Sequence, residues 1–367
     1  MKRLIAVLSL CLCTLSPALA GEAPRVLMVL SGYGLDRGEE RPGYEFDEFA
    51  QAYLIFRQNG LAVDIASPRG GAVEADQYNP DKPFVKVVTE DAAAVAKLEN
   101  TLALDGLKAE DYAAVFVVGG KGAMFDLPGD RNLQRLIAGV YENGGVVAAV
   151  CHGPAALVNV KLSDGSYLVS GRAVNGFTNA EERAFGKKWI EHFPFLLQDK
   201  LIERGGRFQH SDLMLGHVAA DGRLLTGQNP SSTPKLAEAL VESLGIVPKP
   251  REPFVEERTM DMIAQVWDGN VEAGESFRRN AAGYEPKLVS LYGFYQLQFS
   301  RDDRQWQKAV ALMELGSVHF QHPTVELAMA RGHAQLGNRD KARALLIRLL
   351  EEHPDMQEAR AVLKELQ

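Results

Sequence analysis

Cysteine is nearly missing from this chain of 367 residues: there are three, and Cys11 and Cys13 sit in an apolar leader. With that leader removed only Cys151 remains, so no intramolecular disulfide can form in the processed chain. Excess positive charge is missing too. The formal net charge is −8, and loss of the leader's Lys2 and Arg3 takes it two units further negative, which argues against nucleic acid and anionic membrane surfaces as partners. There are no low-complexity tracts, and a hydrophobic content of 46% indicates a chain that folds throughout. Its length suits two domains better than one.

The first twenty residues place Lys2 and Arg3 before a leucine-rich stretch and end with small residues at Ser16, Ala18 and Ala20. This is the pattern of a secretory signal peptide (residues 1–20) cut after Ala20, and its apolar stretch is shorter than the roughly twenty residues of a membrane span. A periplasmic or secreted location is expected, with no membrane attachment after cleavage. In an oxidising compartment an unpaired thiol is exposed to sulfenylation and mixed disulfides, so keeping one points to use rather than packing.

Cys151 follows the continuous apolar run 146–150, which the turn signal Asn143-Gly144-Gly145 precedes, as suits a buried parallel strand. Gly153 and Pro154 then favour an immediate helix start. At such a strand-to-helix corner, the helix dipole and the free first-turn N–H groups are expected to favour thiolate over thiol, with His152 adjacent.

From residue 25 to about 245, short apolar segments alternate with helical ones, the signature of a doubly wound, mostly parallel α/β sheet. Strands are expected over 25–30, 62–66, 114–118, 146–150 and 224–226. Phe46, Phe49, Ala50, Tyr53 and Leu54 share one helix face, and a second helix spans 132–143. Ligands of such sheets bind beyond the carboxyl ends of the strands, where the loops 31–34 and 119–122 and the Cys151 corner fall. Gly119, Gly120 and Gly122 allow close backbone approach to a ligand. The Pro-Lys-Pro-Arg-Glu-Pro stretch marks an extended linker, giving an α/β domain over 21–247, a linker over 248–256 and a helical region over 257–367. In that last region Gly337, Ala342, Leu346, Leu349 and Pro354 fit tetratricopeptide spacing, with a poorer copy over 291–323. It serves either as a concave surface for a protein partner or second subunit, or as a helical cap on the first domain or at a dimer contact.

Four separated segments, Ala149 to Leu157, Gly122 to Pro128, Ile65 to Gly71 and Leu224 to Ser232, together resemble the ThiJ/PfpI superfamily. Within it they are most similar to the glutathione-independent glyoxalases, also called glyoxalase III. The resemblance covers about 25–245 and implies a flavodoxin-like sheet of the class I glutamine amidotransferase-like type. It implies that Cys151 is the nucleophile, that His152 belongs to the site and that Glu48 touches the thiol. Helical periodicity alone puts Glu48 opposite the aromatic stripe, on a face that is solvated by default. The histidine's acidic partner falls in Phe177 to Glu182, with Glu182 preferred to Glu181. Gly120 and the His152 N–H are the implied oxyanion donors, with Gly119 and Lys121 in the same pocket. No cofactor and no metal are implied; His210 and His217, seven apart near an expected strand, point to opposite faces. The implied reaction converts a small 2-oxoaldehyde such as methylglyoxal into a 2-hydroxy acid, in the D-lactate dehydratase class of lyases. A redox-sensing or chaperone-like stress protein, using Cys151 oxidation and the helical tail, is the alternative. Amidotransferase activity is disfavoured, because no distant His-x-Glu pair fits. Two departures from relatives concern the pocket: Lys121 replaces a histidine, and Gln51-Ala52 replaces His-Pro.

Overall fold

The computed structural model describes residues 23–300 and 302–366, so the leader with Cys11 and Cys13 lies outside the described residues. Strands β1 (Arg25–Val29), β2 (Ala62–Ser67), β3 (Leu102–Ala103), β4 (Ala114–Val117), β5 (Val146–Val150), β8 (Val218–Asp221) and β9 (Leu224–Gly227) form one seven-stranded sheet in the order β3-β2-β1-β4-β5-β9-β8. All its pairings are parallel except the edge pair β8–β9. The short strands β6 (Ala173–Val174) and β7 (Arg207–Phe208) pair separately. Where the order turns from β1 to β4, loops from the two sides diverge and leave a crevice at the strands' carboxyl ends.

Alternation along β1 shows how the sheet is covered. Val26 and Met28 face a core shared with Phe49 and Phe56 of α1 (Phe46–Gln58), whereas Leu27 and Val29 face another with Leu133 and Ile137. Burying each such side chain contributes about 2 kcal/mol. The helices that follow α1 are α2 (Pro83–Glu90), α3 (Ala92–Glu99), α4 (Ala123–Asp126), α5 (Arg131–Glu142), α6 (Asn179–Phe185), α7 (Leu197–Glu203) and α8 (Thr233–Ser243). Helix α8 joins α1 on the first face, and α5 covers the second.

After the expected α-helix start, the chain instead makes a five-residue 3₁₀ turn, Gly153–Leu157. So short a segment has no appreciable macrodipole.

The proline-rich stretch is irregular but fastened. Lys249 N donates to Asn59 Oδ1 at 2.7 Å, and Gln58 Nε2 to Pro250 O at 3.0 Å. Arg251 forms a two-pronged pair with Glu257 at 2.7 and 2.8 Å and also reaches Glu238 of α8 at 2.8 Å. Among the described residues seven helices follow: α9 (Val255–Trp267), α10 (Val271–Arg279), α11 (Pro286–Phe299), α12 (Asp303–Ser317), α13 (Pro323–Gln335), α14 (Arg339–Glu352) and α15 (Gln357–Glu365). Among the described residues no helix is long and apolar enough to cross a membrane. The helical region rests on the α/β domain: Trp267 Nε1 donates to Asp212 Oδ2 at 2.7 Å, Gln296 Nε2 donates to Leu213 O at 2.8 Å, and Tyr295 packs edge-on to Phe185.

Candidate active site

Cys151 stands at the carboxyl end of β5 with φ +60°, a left-handed backbone that a non-glycine residue holds only when its surroundings impose it. They do so from both sides: Cys151 N donates to Gly227 O and Phe177 N donates to Cys151 O, each at 2.8 Å. The turn lifts Sγ off the sheet toward the crevice.

On one side Sγ lies 3.4 Å from His152 Nδ1, and His152 Nε2 meets Glu182 Oε1 at 2.8 Å. The ring is buried between Phe177 and Phe193, with centroids 4.5 and 5.8 Å away. Glu182 is held in the first turn of α6, which a capping box of Thr178 and Glu181 fixes. Glu181 has a different task. Its carboxylate accepts from Thr178, Met214 N, Gln228 Nε2 and Asn229 Nδ2, tying the loop after β9 to α6.

On the other side comes Glu48, fully buried despite its place opposite the aromatic stripe. The periodicity expectation of a solvated face is wrong because α1 is covered on both flanks. One face packs in the sheet core and the other closes over the cysteine corner. Glu48 Oε2 accepts from Gly119 N at 2.8 Å, and the carboxyl also meets the Cys151 thiol. A side chain at Gly119 is impossible without rearrangement, since its Cβ would fall 2.6 Å from Glu48 Oε2 and 2.7 Å from Cys151 Cβ.

Burial, and then the charge of Glu45, raise the Glu48 carboxyl well above the carboxylate range. Burial, and then the Glu48 charge, push the Cys151 thiol well up as well. The expectation of a thiolate favoured by a helix dipole is therefore corrected: the helix is a short 3₁₀ turn and the nearest charge is negative. Cys151 and Glu48 cannot both be anionic, so a thiolate forms when Glu48 holds the proton.

The pocket residues divide. Gly119 spends its N–H on Glu48 and does not line the cavity, which corrects its expected place among the substrate contacts. Gly120 lines it, with φ +93° and no room for a side chain, as its Cβ would lie 2.5 Å from Glu45 N. Neither Gly120 N nor His152 N donates to another described residue. Lys121 also lines the cavity, whose volume is about 330 Å³.

Glu45 also lines this cavity and was not singled out from sequence. Burial, and then Asp47, raise its carboxyl to about 7. Helical spacing does not reach it, because Glu45 is the extended N-cap residue before α1, whereas Gln51, three residues after Glu48 on the helix, lines the cavity too. The outer wall comes from Glu256, Met260 and Leu288 of the helical region, which no motif in the first domain foretells. No group of three or more His, Cys, Asp or Glu side chains among the described residues is placed to hold a metal ion.

The chain is similar to the probable glutathione-independent glyoxalase hsp3103 of Schizosaccharomyces pombe, 33% identical over 239 residues that cover 56% of this chain and 91% of the relative. It is similar to glyoxalase 3 of Candida albicans, 32% identical and covering 59% of this chain and 97% of that protein. The crystal structure of glyoxalase III from Candida albicans superposes with a TM-score of 0.55 at 28% identity, covering 60% of this chain and 97% of that one. The Francisella tularensis rapid encystment protein of 24 kDa gives 0.57 at 28% identity, covering 60% and 99%. The sequence profile of the DJ-1/PfpI family matches residues 41–243, more than half of the chain. The protein belongs to the DJ-1/PfpI family.

Proposed function

We propose that the protein is a cofactor-free, glutathione-independent glyoxalase of the D-lactate dehydratase class, turning a 2-oxoaldehyde such as methylglyoxal into a 2-hydroxy acid. The observation that carries this reading is a thiol placed between a proton-sharing carboxyl, Glu48, and the His152–Glu182 pair, open to a cavity. The names of the glyoxalase relatives support it.

In the proposed sequence the Cys151 sulfur bonds to the aldehyde carbon while its proton passes by way of Glu48 to the carbonyl oxygen, giving a hemithioacetal. The N–H groups of Gly120 and His152 stabilise the oxyanion as it develops. Glu48, now a carboxylate, removes the hydrogen from the former aldehyde carbon, and His152 carries that carbon's hydroxyl proton to the neighbouring oxygen, giving an enediolate. Return of a proton to the second carbon leaves a thioester of a 2-hydroxy acid. Water cleaves it, releasing the acid and restoring the thiol. Glu182 keeps Nδ1 of His152 directed at the sulfur.

The test is to incubate the purified chain with methylglyoxal in deuterated water without glutathione. Lactate carrying deuterium at its second carbon is expected, because Glu48 and His152 exchange their protons with solvent. Absence of lactate, or lactate that keeps the original hydrogen throughout, contradicts the proposal. We also place the reaction in the periplasm or outside the cell, on the strength of the leader; fractionation finding the protein with cytoplasmic markers overturns that placement.

A further inference from the structure

The cavity is larger than a three-carbon substrate needs. At about 330 Å³ it falls within the ~300–1,000 Å³ of small-molecule sites and runs from Cys151 outward to Glu256 and Met260 of α9 and Leu288 of α11. The family match ends at residue 243, before α9 begins at Val255, so this outer wall is an addition to what the family profile describes.

The groups in the outer half are unevenly satisfied. Lys82 bridges Asp47 and Glu256, the latter at 3.2 Å, and so joins the two regions across the mouth. Asp47 Oδ1 is buried with no hydrogen-bond partner among the described residues. The Glu45 carboxyl receives no hydrogen bond from a described side chain, although it lines the cavity. The Lys121 ammonium, on the same wall, makes no ion pair among the described residues. Asp47 Oδ1 is an unpartnered buried acceptor, which is costly, while the half-buried Glu45 carboxyl and Lys121 ammonium face the cavity, so the lining calls for a ligand that both donates and accepts. An anionic tail would meet Glu45, Asp47 and Glu256. A cationic one would meet Lys82 and Lys121. Hydroxyl groups satisfy both kinds of partner without a charge conflict.

We infer that the site takes a 2-oxoaldehyde extended by a polyhydroxylated chain, as a sugar-derived ketoaldehyde is. The reacting end meets Cys151, and the hydroxyls lie between Glu45 and Asp47 of the first domain and Glu256 of the helical region. This rests on the glyoxalase reading and specifies its substrate class. The helical region is then a specificity wall.

The test compares kcat/KM of the full chain for methylglyoxal and for 3-deoxyglucosone, in the wild type, Glu256→Gln and Met260→Trp. The wild type is expected to favour 3-deoxyglucosone by about tenfold or more, the equivalent of ~1.4 kcal/mol. Met260→Trp fills the outer cavity and Glu256→Gln loosens its rim, and each is expected to cut that ratio at least several-fold; the milder Glu256→Gln serves should the bulky variant misfold. Turnover of methylglyoxal without preference for the longer substrate, or variants that slow both substrates equally, overturns the inference while leaving the glyoxalase reading standing. Turnover of neither overturns both.

Discussion

At the scale of single residues, the site depends on an exchange between Gly119 and Glu48. The Gly119 N–H fixes one carboxyl oxygen, and the missing side chain lets that carboxyl reach the cysteine. Gly119→Ala is expected to lower stability by about 1–3 kcal/mol through overpacking and to abolish turnover, read from thermal unfolding beside an activity assay. Unchanged activity would show that Glu48 can sit elsewhere. Glu45 gives a pH signature. Its carboxyl is raised from 4.5 to about 7, so the folded state holds a proton that the unfolded chain has released. The associated stability is complete below about 4.5 and is lost as pH climbs through about 7. The melting temperature of Glu45→Gln should fall less over that window than the wild type's; parallel curves would contradict the assignment. Cys151 was legible as a displayed residue because an apolar run, a glycine and a proline surround it. The charge state of its thiol was not legible, since that depends on which carboxylate the fold brings alongside.

At the scale of elements, the strands that could be read were those buried on both faces. β5 and β4 are apolar throughout, β1 is so after Arg25, and β2 alternates, with Val63 and Ile65 buried and Asp64 partly exposed. β3, β6 and β7 are two residues each, and β8 ends in Asp221, whose carboxylate accepts from Ala173 N at 3.0 Å. Such pieces become strands through pairing partners distant in sequence, so no local pattern marks them. The helical region's fastening also escapes motif reading. Arg251, about 11% exposed, holds Glu257 of α9 and Glu238 of α8 together. Arg251→Ala leaves Glu257 without its partner and is expected to cost about 3 kcal/mol in the docking of the two regions. Limited proteolysis should then cut residues 247–254 at least several-fold faster than in the wild type; an equal rate would mean that the apolar contacts alone hold α9.

For the whole molecule, the sheet brings the nucleophile to a crevice, and the added helices turn that crevice into a chamber with a polar outer half. The chamber's inner half was foreseeable: the local pattern displayed Cys151 with His152 beside it, and the family resemblance added Glu48 and Glu182. Its outer half joins residues 45–47 to residues 256–288, a separation that only the folded chain spans. The central claim is that Cys151 and Glu48 act as one unit, sulfur to carbon and proton to carboxyl. The most direct measurement is glutathione-free consumption of methylglyoxal by the full chain, with Cys151→Ala and Glu48→Gln beside it. Loss of turnover in the cysteine variant and a fall of about 10²–10⁴-fold in the glutamine variant, both still folded, is the predicted result. A wild-type rate in either variant contradicts the account.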